Sequence, residues 1–73
     1  MLGAMKYRVS LDRETDGRWI AEVRSLPGVL AYGRTRAAAL AAVQALALRV
    51  VADRLEHGEA TSRTVTVTFA TAP

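Results

Sequence analysis

No cysteine occurs among the 73 residues. Disulfides, thiolate metal sites and a thiol nucleophile are therefore excluded. The single histidine, His57, cannot build a zinc site alone. Neither a metal nor a cofactor is expected. Asparagine is absent, and one lysine stands against nine arginines. A GC-rich genome accounts for that bias, and the missing asparagine also fits a thermophile. A long apolar run is missing too. Met1–Met5 shows no basic segment leading into an apolar stretch, so neither a signal peptide nor a membrane span is expected. A cytoplasmic location is the expectation that follows. The net charge of +3 is mild, and acids are interspersed with the arginines. Without a clustered basic stripe, nucleic-acid binding by this chain alone is disfavoured.

Size sets the next constraint. A chain this short buries roughly 60% of the surface its unfolded form exposes, which leaves a monomer marginal. Small domains are usually stapled by disulfides, a metal or a partner chain. The first two are missing, so a homo-oligomer, a dimer or higher, is expected.

The pattern along the chain reads as one α+β domain spanning 1–73, with a core of about 5–70. "MKYRVSLD" (5–12) alternates Met5, Tyr7, Val9 and Leu11 against polar residues, the period of a half-buried strand. "RETDG" (13–17) carries turn chemistry, and "RWIAEVR" (18–24) alternates again. With a 13–17 loop, Asp12 faces Arg18, Leu11 faces Trp19, Val9 faces Ala21 and Arg8 faces Glu22. "VLAYG" (29–33) is a short third strand. Thr35 is an N-cap for "RAAALAAVQALALRVVADRLE" (36–56), and Gly58 is a C′ residue able to take positive φ. "TVTVTFA" (64–70) is a fourth strand. The expected architecture is a two-layer β-β-β-α-β domain, an antiparallel sheet with one long helix packed on it. Apolar residues cover well over half of that helix's circumference, more than one sheet consumes. The surplus face is read as a self-association or partner surface.

Catalytic readings fare poorly. Asp12, Glu14, Asp16 and Glu22 invite a two-metal site, but carboxylates opposite arginines read as cross-strand pairs. His57 in the last helical turn suits the helix dipole better than catalysis. Gly28 and Gly33 lack the Lys-Ser/Thr that follows a phosphate loop. Tyr7 and Trp19 fall on the core face, leaving Tyr32 alone for stacking on RNA. No enzymatic activity and no catalytic residue is expected. "SLPGVLAYGRT" (25–35) reads as a hinge, with Pro27-Gly28 in the middle of a type II turn and Gly33 releasing the chain toward the helix.

The ordered set "YRVSL", "DG", "WIAEV", "LPGVLAYGRT", a helix opening on "AAAL" and a later "RLEHGE" resembles the HicB-like antitoxin family over residues 5–59. The resemblance implies a helix on a sheet like a truncated ribonuclease H fold without its active site. It also implies a partner, a HicA-like toxin that cleaves mRNA. Family members often carry a further DNA-binding domain, which these residues do not include, and Ala38 stands where an acid often completes a capping box. The implied function is an antitoxin-type protein-binding module that neutralises such a toxin by occlusion. The alternatives are an orphan homo-oligomeric domain or a weak nucleic-acid binder. Interface residues expected from exposure are Ile20, Leu30 and Tyr32, with Leu48 on the surplus helix face.

Overall fold

A computed structural model describes residues 4–58 and 65–71. Five elements follow one another: β1 (Ala4–Arg13), β2 (Trp19–Glu22), β3 (Leu30–Gly33), α1 (Arg36–Glu56) and β4 (Thr66–Thr71). The sheet order is β3-β2-β1-β4, with α1 laid on one face. The expected β-β-β-α-β, α+β architecture is the one observed. The Met1–Gly3 segment, Glu59 of the "RLEHGE" stretch and Thr64 of the fourth strand lie outside the described residues.

Alternation in β1 works as read. Met5, Tyr7 and Val9 are buried and Leu11 is half-buried, while Lys6, Arg8 and Asp12 face solvent. The hairpin register differs by two residues. Leu11 pairs with Ala21, Asp12 with Ile20, Arg13 with Trp19 and Ser10 with Glu22. The loop between the two strands is thus 14–18, and two contacts of Arg18 close it. The Arg18 backbone N–H donates to the Asp16 carboxylate at 3.1 Å, and its carbonyl accepts from the Glu14 N–H. A two-residue slip preserves every side chain's face, since the strand period is two. Gly17, at φ 93°, makes the tight return possible.

The sheet is mixed, not antiparallel. β4 pairs parallel with β1, Met5 beside Val67 and Tyr7 beside Phe69. Two hairpins make β3 run the same way as β1. A 21-residue helix then carries the chain back about 31 Å, so the next strand must run parallel to both.

The Pro27-Gly28 turn takes the expected form. Gly28 has φ 79°, and the Val29 N–H donates to the Leu26 carbonyl at 3.1 Å. A second turn precedes it, with the Leu26 N–H donating to Val23 at 3.0 Å. This double turn tucks Leu26 and Val29 into the core, so the stretch is anchored as well as hinged. Gly33 is needed for closeness and not for φ. A Cβ there would strike the Ala39 backbone nitrogen and come within 2.8 Å of the Ala38 carbonyl carbon. The helix therefore starts almost in contact with the end of β3.

α1 begins and ends as its sequence dictates. The Thr35 hydroxyl accepts from the Ala38 N–H at 3.0 Å. His57 is the C-cap and Gly58 follows at φ 72°. Ala39, Val43, Ala47 and Val51, four residues apart, form the buried line of the helix. They meet Val9, Ala21, Val23 and their neighbours in one cluster. The largest fully buried side chains are only valines: Val9, Val23 and Val43.

Candidate interaction surfaces

The open face of the sheet, opposite α1, receives the even-numbered side chains of β1, β2 and β3. Ile20 pairs with Tyr32, and Leu30 stands two residues along the same edge strand. Tyr32 is 44% exposed and Leu30 39%, while Ile20 is half-buried. Three of the residues expected at an interface thus share one apolar corner. Leu48, 46% exposed, does not join them. It lies on α1, in the other layer, so the four residues belong to two surfaces.

Electrostatics shape the sheet corner. The Arg18 guanidinium lies 4.6 Å from the Tyr32 ring centroid, a cation–π contact. Its Nε donates to the Asp16 carboxylate at 2.8 Å. The Arg18 backbone N–H first, then its guanidinium, hold Asp16 below its ordinary 3.8. Asp16, Arg18 and Tyr32 form a clip that fixes the ring's orientation. At such an exposed site each contact orients the side chains more than it stabilises the fold. Arg18 is the residue that sequence reasoning assigned wrongly, as a partner for Asp12. The Asp-Gly-Arg order was the available signal, because an Asp side chain readily binds the backbone two residues on.

Around this corner the same face carries Lys6, Arg8, Asp12 and Glu22. Asp12 stands opposite Ile20 and Glu22 opposite Ser10, so neither faces an arginine across the hairpin. Glu22 instead lies 3.6 Å from Arg24 on its own strand's extension. Among the described residues no group of three His, Cys, Asp or Glu gathers, and no pocket forms. His57 sits at the helix end, its Nδ1 2.7 Å from the Asp53 carbonyl and 3.3 Å from the Asp53 carboxylate. Tyr7 is buried, with its hydroxyl donating to the Met5 sulfur at 3.2 Å, and Trp19 is half-buried on the helix side under Arg13. Tyr32 is the exposed ring of the open sheet face.

The second surface is the outer side of α1, where Leu48 and Leu55 are both exposed. No described helix is long and apolar enough to cross a membrane. Comparison with known proteins finds no matching family model, no matching curated protein and no matching solved structure.

Proposed function

We propose that this chain is a HicB-like, antitoxin-type protein-binding module that neutralises a HicA-like, RNA-cleaving toxin by covering its active surface. The reading rests on the order of the sequence features from "YRVSL" to "RLEHGE". The observation that carries it furthest is the Ile20–Leu30–Tyr32 corner, with Leu30 and Tyr32 exposed and Tyr32 clipped beneath Arg18. Interface energy concentrates in aromatic anchors surrounded by a polar rim, and this corner has both. A ring already held in one orientation loses less freedom on binding. Lys6, Arg8, Asp12 and Glu22 supply a rim of mixed sign that suits a protein partner. Occlusion requires no catalytic group on this side of the complex.

The test is co-expression with a HicA-like toxin, followed by pull-down and an RNA-cleavage assay. The expected result is a stable complex in which cleavage stops. Tyr32→Ala should weaken it by about 30-fold, the scale of a truncated aromatic hot spot. A toxin that cleaves RNA equally well with and without this chain sinks the proposal.

A further inference from the structure

The exposed side of α1 carries Arg49, Asp53 and Glu56 along one edge, but beside them it is apolar. Ala38, Ala41, Ala45, Leu48, Ala52 and Leu55 are all exposed, and they recur at alternating spacings of three and four. That is the a/d spacing of a coiled-coil seam, sustained over about 26 Å of helix. At 3.6 residues per turn it lies roughly 150° round from the buried line of Ala39, Val43, Ala47 and Val51. An ordinary helix on a sheet carries charged residues there. This helix has two apolar faces and one sheet.

We propose that the outer seam of α1 packs against the same seam of a second copy, antiparallel, about a two-fold axis between Ala45 and Leu48. In that register Ala38 meets Leu55 of the second copy, Ala45 meets Leu48, and Ala41 meets Ala52. Each leucine is matched by an alanine, so the layers have even width and the helices approach closely. A parallel pairing would stack leucine on leucine and alanine on alanine, alternately wide and narrow.

Charge selects the same direction. Arg34 precedes the helix, whose first turn holds no acid, while Arg36 lies toward the side of the buried line. Asp53 and Glu56 stand near its end, accompanied by Arg54. Arginines at the positive end and carboxylates at the negative end oppose the helix dipole in a lone chain. Antiparallel pairing brings Glu56 of the second copy level with Ala37, beside that acid-free start. Parallel pairing sets like ends together and aligns the dipoles. The small core, whose fully buried side chains among the described residues are no larger than valine, leaves the chain in need of such a staple.

The seam and the Tyr32 corner lie on different layers, so the toxin reading can fail while this inference stands. The experiment uses the chain alone. Sedimentation at micromolar concentration should give twice the 7.9 kDa chain mass. Leu48→Glu should return it to the single-chain mass with an unchanged circular dichroism spectrum. Because the chain has no cysteine, introduced thiols report orientation cleanly. Ala38→Cys mixed with Leu55→Cys should cross-link on oxidation, while either alone should not, its thiols being about 26 Å apart in the pair. A single-chain mass throughout, a dimer that survives Leu48→Glu, or self-cross-linking of Ala38→Cys would each overturn the proposal. The cross-linking result holds even if Leu48→Glu misfolds.

Discussion

Gly33 is the residue whose role is hardest to guess from its neighbours. Its φ is not positive, yet any side chain would drive into the Ala38–Ala39 backbone. Backbone atoms cannot rotate aside, so Gly33→Ala must push the helix off β3. Chemical denaturation should show a loss of about 1–3 kcal/mol. Thr35 acts by hydrogen bonding and not by space. Thr35→Ala leaves a first-turn N–H without its acceptor and should lower stability by about 1 kcal/mol in the same assay. Asp16 contributes through charge. Its folded-state pKa lies below its ordinary 3.8, so its stabilisation is fully present above the unfolded value and fades as pH falls through the folded one. Asp16→Asn should lose that contribution near pH 7, unfolding slightly more easily than wild type there, and the two should converge once pH falls below the folded-state pKa. An acid titration of unfolding midpoints, wild type against variant, measures the difference.

At the scale of elements, the helix was legible almost to the residue. Thr35, an alanine- and leucine-rich run and Gly58 each carry a local mechanism, and here the three agree. The hairpin was legible in facing but not in register. Period two fixes which side chains turn inward, whereas the register depends on where the loop closes. That was decided by Asp16 capturing the Arg18 N–H, a contact one loop residue away from the expected closure. The direction of β4 follows from counting chain reversals, but its place beside β1 instead of β3 does not. Leu26 and Val29 look like turn flanks in sequence, and only the paired turns reveal them as core residues. The double turn depends on Gly28, whose φ of 79° disfavours every L side chain. Gly28→Ala meets no atom within 4 Å, so its cost is conformational alone. A drop of about 1–2 kcal/mol in denaturant unfolding is expected.

For the molecule as a whole, the decisive fact is a short core served by a helix with two apolar faces. If stability is shared between copies, the unfolding temperature must depend on concentration, because mass action favours the associated native state. Thermal unfolding followed over a hundredfold range of concentration should show the midpoint rising. Leu48→Glu should flatten that dependence. Sequence already set Leu48 on the surplus helix face, apart from Ile20, Leu30 and Tyr32, but it could not show that those three meet at one corner of the opposite layer. What separates them from Leu48 is the packing of α1 onto the sheet, which leaves two independent apolar faces.

Local chemistry in the chain determined the element types, the helix limits, the inward faces of the strands and the turn at Pro27-Gly28. These depend on periodicity, capping and φ preference, all of which act over a few residues. Tertiary structure alone decided the place of β4 beside β1, the close approach at Gly33 and the meeting of Arg18 with the Tyr32 ring. Each of those depends on where distant or loop-separated atoms meet, and a one-dimensional pattern carries no term for that meeting.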